Sequence, residues 1–339
     1  MPVTGKSVSK KDFAGYMRGL ALELRPSEPL AVAVSGGGDS MALAFLLSEW
    51  AGEHGHPLTS LIVDHGLRPE AADEARFVAS TLKPLGFSHK TLVWEGIKPK
   101  TRLQESARAA RYALMAEYCS RQKIRHLFVA HHANDQAETI LFRLAKGSGF
   151  DGLAGMQPTS HYEDGQLLIC RPLLSVSHAD LLATCRNHKM EWIEDPSNKN
   201  ERYARVRLRN ILDVIEGEGL SPARLSAISA RIRRLVSAID QLSENEYKNI
   251  LIESNTKRIV ISFSGLAHLA DEVQIRILRK ILNELAASSS QKVRLEEIER
   301  LQARIVSKTG FRAATLGGLI FRKTKEGLVV SKESDQPKK

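Results

Sequence analysis

Six consecutive residues, Ser35-Gly36-Gly37-Gly38-Asp39-Ser40, hold the densest chemistry of the chain. They follow the apolar residues 30–34 and precede the apolar residues 41–47, the order of a strand, a glycine turn and a helix. Three glycines let the backbone take angles closed to other residues and approach an anion closely. Amides at the helix start point at that anion, and the helix dipole favours negative charge there. Ser35 and Ser40 add hydroxyl donors and Asp39 a carboxylate, so a phosphate cradle is expected. It is neither of two common kinds. No Lys follows the glycines as in G-x-x-x-x-G-K-[ST], and their spacing does not fit G-x-G-x-x-G.

A second cluster, His131-His132-Ala133-Asn134-Asp135-Gln136-Ala137-Glu138-Thr139, joins a strand end to a helix start. Asp135 and Glu138 are three apart and share a helix face. Two such carboxylates beside a nucleotide could hold Mg²⁺ or a cationic substrate; the competing reading is acids that satisfy the helix dipole. H-E-x-x-H is absent, which excludes that metalloprotease motif. In Gln104–Tyr112, Arg108 and Arg111 share a helical face and could clamp phosphates bidentately; the competing reading is a solvated pair, or one ion-paired with Glu105. Glu194-Asp195-Pro196-Ser197-Asn198 is turn chemistry leading into Tyr203-Ala204-Arg205-Val206-Arg207-Leu208-Arg209-Asn210. Arg205 and Arg209, four apart, could face phosphates of a nucleotide or a nucleic acid.

The elements that must position these groups alternate. Strands are expected at 31–34, 59–63, 90–93, 127–130 and 167–170, and helices at 40–50, 70–85, 101–121, 135–146 and 178–189. Such alternation implies βαβ units and a doubly wound parallel sheet, an α/β fold. Ligands of such sheets sit at the carboxyl ends of the strands, where Ser35, Asp64 and His131 fall. The glycine-rich residues 147–155 read as a loop, either a lid or a plain connection. After about residue 215 the pattern becomes mainly helical. A long helix over 222–250 bears Arg224, Arg231, Arg233 and Arg234, with further helices at 268–287 and 295–306 and a small β element at 311–331. The expected domains are 1–215 and 216–331, followed by a polar tail at 332–339.

The chain has 339 residues and a net charge of +10. Residues 216–339 hold 22 Lys+Arg against 15 Asp+Glu, so +7 of that charge lies there. That asymmetry suggests a polyanionic partner for the second part; the bland alternative is a solvated basic surface. Apolar runs are too short for a membrane span, and the N-terminus lacks the apolar core of a signal peptide. Cys119, Cys170 and Cys185 are widely spaced with no C-x-x-C pair, which argues against a disulfide framework or structural zinc. A reducing, cytoplasmic setting follows.

The SGGGDS loop resembles that of the N-type ATP pyrophosphatases, which split ATP between the α and β phosphates. The ordered series SGGGDS, Val63-Asp64-His65-Gly66-Leu67-Arg68, ESARAARY, HHANDQAET, Arg171-Pro172-Leu173-Leu174, EDPSN and the arginine helix resembles the tRNA(Ile)-lysidine synthetase family. The resemblance covers the first 215 residues closely and continues to Thr315-Leu316-Gly317-Gly318. It implies an adenine nucleotide α-hydrolase-like fold and a carbon–nitrogen ligase. ATP would adenylate the C2 oxygen of the wobble cytidine of a CAU-anticodon tRNA(Ile), and lysine would displace AMP, changing codon reading from AUG to AUA.

Carried onto these residues, the resemblance implies that Ser35, Gly36, Gly37, Gly38, Asp39 and Ser40 bind ATP phosphates, with Asp39 also holding Mg²⁺. Val63 and Asp64 would lie near the adenosine. Arg111 would stabilise phosphate charge, Asp135 and Glu138 would engage the lysine ammonium or the metal, and Arg205 and Arg209 would act near the adenylation site. Arg209, Arg231, Arg233 and Arg234 are the expected tRNA contacts, and a homodimer is plausible. The family often has HHADDQAET where this chain has Asn134, and R-N-R-I-R-H where this chain has Val206 and Asn210. A tRNA thiolase of the same superfamily is the alternative enzyme, although such enzymes commonly use paired cysteines. A nucleotide-regulated RNA-binding protein would bind ATP without forming pyrophosphate.

Overall fold

The computed structural model describes residues 5–66, 71–96, 98, 103–163, 165, 167–194, 204–285, 293–307 and 310–333. Arg68, the 195–198 turn, Tyr203 and residues 334–339 of the tail lie outside them, as do the expected helix starts at 70 and 101. The chain divides into two compact units, residues 1–148 with 152–230, and residues 149–151 with 231–339.

The first unit begins with α1 (Lys10–Gly19), capped by Ser9, whose hydroxyl accepts from Asp12 N. There follow β1 (Leu30–Ala33), α2 (Gly38–His54), β2 (Leu58–Asp64), α3 (Ala71–Leu82), β3 (Phe87–Val93), α4 (Leu103–Arg121), β4 (His126–Phe128) and α5 (Ala133–Ala145). A short α6 (Phe150–Leu153) lies in the glycine-rich segment that reads as a loop. Then come β5 (Thr159–Tyr162), β6 (Leu167–Cys170), α7 (His178–Asn187) and α8 (Ala204–Gly217).

The six strands form one sheet in the order β3-β2-β1-β4-β6-β5, all parallel except β5, which pairs antiparallel with β6 at the edge. The direction of winding reverses between β2 and β4, on either side of β1. That reversal opens a crevice outside the carboxyl ends of β1 and β4. β1 is buried on both faces, which is why it reads as an unbroken apolar run. Leu30 and Val32 pack with α1, α2, α3 and α7 through Phe13, Met41, Leu43, Val78 and Leu181. Ala31 faces the other layer, where Met115 and Cys119 of α4 meet Leu61, Leu127 and Ile169. α2 is apolar nearly all round because α1 and α7 cover the side turned away from the sheet. Below the sheet, buried Glu28 accepts from Arg25 N, from Arg125 Nε and Nη2, and contacts His126, which pins the start of β1 to the start of β4. Burial alone would raise its carboxyl, but these donors bring it down to about 2.

α9 (Pro222–Ile250) leads into the second unit, which contains β7 (Leu251–Ser254), β8 (Arg258–Ile261), α10 (Phe263–His268), α11 (Asp271–Leu285), α12 (Leu295–Val306), β9 (Ala313–Leu316), β10 (Leu319–Lys323) and β11 (Leu328–Lys332). The expected C-terminal β element is larger than its own stretch of sequence. β7 and β8 join it in an antiparallel sheet of order β7-β8-β11-β10-β9. Gly327 makes the β10–β11 turn possible: its φ is 140°, and a Cβ there would lie 2.3 Å from Ile261 O. Ile259, Ile261, Leu319, Phe321, Leu328 and Val330 form a separate core with α11 and α12. Among the described residues no helix is long and apolar enough to cross a membrane.

Candidate active site

The loop after β1 is closed by its own hydroxyls. Ser40 Oγ donates to Gly37 O (2.8 Å) and accepts from Ser35 N (3.2 Å), with Ser35 Oγ 3.3 Å away. Gly36 has φ 84°, and its carbonyl accepts from Ile193 N at 2.9 Å. A Cβ on Gly38 would lie 2.4 Å from Leu182 Cδ2, so a side chain there would push the Leu182 side chain aside. The glycines thus serve both loop curvature and the packing of α7 and the segment after it. Ser35 remains exposed.

Asp39 stands in the first turn of α2 between two imidazoles from distant segments. Its Oδ1 is 2.7 Å from His178 Nδ1, and its Oδ2 is 3.4 Å from His132 Nε2. Burial would raise the Asp39 carboxyl, but the hydrogen bonds of His132 and His178 outweigh it and hold the group well below the usual range. His132 is raised: burial opposes its charge, and contact with Asp39 and Asp135 prevails. The carboxylate is therefore ionised at neutral pH, as a cation ligand must be. One carboxylate oxygen and two imidazole nitrogens are near enough to share one ion.

The two acids of the second cluster separate in role. Asp135 Oδ2 accepts from His132 N (3.1 Å) and lies 3.5 Å from His132 Nε2, so it remains beside Asp39's partner. Glu138 is buried, and its Oε1 accepts from Arg209 Nε (2.9 Å) and Nη2 (2.8 Å). Asn134, the departure from the family pattern, accepts from His178 N at 3.1 Å and so seats the α7 start against Asp39. Gln136 is fully buried. It accepts from Met156 N and donates to Met156 O, while Arg143 Nη1 donates to Gly152 O and Gly155 O. The latter half of the glycine-rich segment is thereby fastened to α5.

Val63 and Asp64 end β2, and Asp64 Oδ1 accepts from Gly66 N at 2.7 Å. Arg111 donates from Nε (3.3 Å) and Nη2 (3.0 Å) toward His65 Nε2. Burial, then the Arg111 charge, push His65 down to about 4, so it is a neutral acceptor. Nothing in the Val63–Arg68 motif itself marks His65 as a partner for Arg111, 46 residues away. Nothing local links His178 to Asp39 either. Arg205 lies in α8, with its side chain outside the description. Arg231, Arg233 and Arg234 lie on α9 in the second unit, as do residues 231–250 generally. The three cysteines are free and buried, and burial pushes each thiol up to about 12, which leaves none poised as a thiolate.

Residues 11–215 match the PP-loop domain family. With the glycine loop at the end of β1, that match defines the class: an ATP-using PP-loop enzyme. The tRNA(Ile)-lysidine synthase of Methylobacterium sp. (strain 4-46) is 39% identical over 298 residues, covering 86% of this chain and 85% of that protein. That of Bradyrhizobium sp. (strain BTAi1 / ATCC BAA-1182) is 37% identical over 318 residues, covering 90% and 88%. The chain belongs to the tRNA(Ile)-lysidine synthase family, ligases that modify tRNA. Among solved structures, the U34-tRNA thiolase NcsA from Methanococcus maripaludis has a TM-score of 0.57 at 18% identity, covering 67% of this chain and 79% of that one. That likeness concerns the fold alone.

Proposed function

We propose that the protein joins lysine to C2 of the wobble cytidine (position 34) of a CAU-anticodon tRNA(Ile) in two steps. The C2 oxygen attacks the α-phosphorus of ATP and pyrophosphate leaves. A lysine amine then attacks C2, and AMP leaves with that oxygen. No residue need be a covalent nucleophile; the work is positioning and charge stabilisation. The observation that carries the reading is the ionised Asp39 at the mouth of the glycine loop, held by His132 and His178, in a chain of this family.

In this reading Ser35–Ser40 receive the phosphates, and Val63 and Asp64 border the adenosine. The ionised Asp39 carboxylate fits Mg²⁺, which takes oxygen ligands and commonly shares phosphate oxygens; bound there, Mg²⁺ would neutralise phosphate charge. Arg111, oriented by neutral His65, faces developing phosphate charge. Asp135 engages the lysine ammonium, and buried Glu138 holds Arg209 toward the same place, with Arg205 one turn earlier on α8. Arg231, Arg233 and Arg234 contact tRNA phosphates; reversing all three charges is expected to weaken tRNA binding and flatten its salt dependence. Unchanged affinity across salt would remove them from the footprint.

The test is incubation with ATP, Mg²⁺, radiolabelled lysine and unmodified CAU-anticodon tRNA, followed by nuclease digestion. Label on the wobble nucleoside is expected. Pyrophosphate release without label would refute lysine as the nucleophile.

A further inference from the structure

Three guanidiniums gather at the carboxyl edge of the six-stranded sheet, and none has a carboxylate partner among the described residues: Arg108, Arg111 and Arg171. α4 follows β3 and runs back along the sheet, so its early turns, with Arg108 and Arg111, start at this edge. Arg171 comes directly after β6. Its Nη1 donates to Gln157 O (2.9 Å) and Ser160 Oγ (3.0 Å), while its Nε is buried with no hydrogen-bond partner. Glu105, the partner the sequence offers Arg108, makes no ion pair with it. Burial lowers both Arg111 and Arg171; the Tyr112 hydroxyl opposes it, and the nearby Arg108 charge lowers them further. Gathered like charges are unfavourable until an anion completes them.

The surroundings indicate which anion. The Arg108 guanidinium lies over the Tyr112 ring, 5.3 Å from its centroid. Tyr112 stacks on Tyr162 with centroids 5.9 Å apart and planes 21° apart. Arginines beside partly exposed aromatic rings suit a nucleic-acid strand: the cations take backbone phosphates, and Tyr162, on the edge strand, is the ring left to meet an unstacked base. ATP has a separate cradle in Ser35–Ser40, and with Arg111 assigned to the transferring phosphate, Arg108 and Arg171 are left over. We propose that Arg108 and Arg171, with the Tyr112–Tyr162 pair, hold the backbone and a base of the single-stranded RNA segment that carries the target nucleotide. This rests on the tRNA-modifying reading above.

The test measures tRNA affinity against KCl concentration for the full chain and for Arg108→Glu, Arg108→Ala/Arg171→Gln and Arg171→Lys, with ATP and pyrophosphate binding measured alongside. Arg108 is exposed, so its charge reversal should leave the fold intact. Arg108→Glu is expected to weaken tRNA binding by about tenfold and lower the log–log salt slope by about 1; the double variant should lower the slope by about 2. Arg171→Lys should retain most of the slope, because the charge remains. ATP affinity should stay within about twofold, since neither residue contacts the cradle. Unchanged tRNA affinity and slope in both Arg108 variants would overturn the proposal. So would weakened ATP or pyrophosphate binding with tRNA binding intact, which would assign the cluster to the nucleotide. If the wild-type chain binds tRNA but incorporates no lysine, the proposed reaction fails while this binding result remains readable.

Discussion

One cluster of cations in each unit is treated in the opposite way. In the second, one group of cations on α11 and β8 is neutralised within the fold. Arg276, only 7% exposed, bonds Asp151 (2.8 Å), Glu272 (2.9 Å) and Asp240. Arg279 pairs with Asp151, Lys280 with Glu244 and Glu284, and Arg258 with Glu253. A surface hollow of about 420 Å³ is lined by these same mutually satisfied groups. At the carboxyl edge of the first unit, Arg108, Arg111 and Arg171 have no acid among the described residues, and Asp39 has imidazoles in place of a lysine or arginine. Paired charges fix a structure. Charges left uncompensated at a strand edge form a site awaiting a ligand, and the basic surplus of a chain does not by itself say which kind it holds.

Removing the central acid should break the contrast most sharply. Asp39→Asn keeps the shape and loses the charge, and should cut lysine- and tRNA-dependent AMP release by about 10²–10³-fold. Near-normal activity would sink the cation role. Arg276→Ala is the mirror experiment. It strands three acids and should destabilise the second unit by about 2–3 kcal/mol, a figure held down by their partial exposure, read by denaturant unfolding. Full stability would mean the network contributes nothing.

His65→Gln should have a smaller effect. It should slow adenylation by about tenfold through a misplaced Arg111, measured as pyrophosphate release. It also carries a pH signature. His65 titrates at about 4 folded against the usual 6.5, so the unfolded chain takes up a proton first. Stability should fall as pH drops from 6.5 to about 4 and level off below, and the substitution should remove that share of the slope. Last, Lys280→Ala breaks a partly exposed pair and should move the melting temperature by no more than about 2 °C.

Much of the first unit was legible because its signals are local. A glycine turn between an apolar strand and an apolar helix has few other meanings, and β6 and α9 fall where the residue pattern places them. β5 escaped notice because Thr159–Tyr162 is a partly exposed edge strand with no apolar alternation. β7 and β8 did so because each is four residues long and is made a strand by neighbours, β8 by β11 far along the chain. The expected helix over 268–287 begins later, at Asp271, because Leu269 is extended and ends α10. The glycine-rich stretch, open to reading as a lid, is in its latter half tied down by Gln136 and Arg143.

What the sequence determined by itself was the kind of chemistry: the phosphate loop, the order of motifs and the alternation that brings strand ends to one edge. These depend on backbone propensity and periodicity, which act over a few residues. Only the tertiary structure decided the partners. It set His178 and His132 on Asp39, gave Glu138 to Arg209, and turned neutral His65 toward Arg111. Those pairings join residues distant in the chain through sheet order and burial, and no local pattern encodes which cation meets which acid.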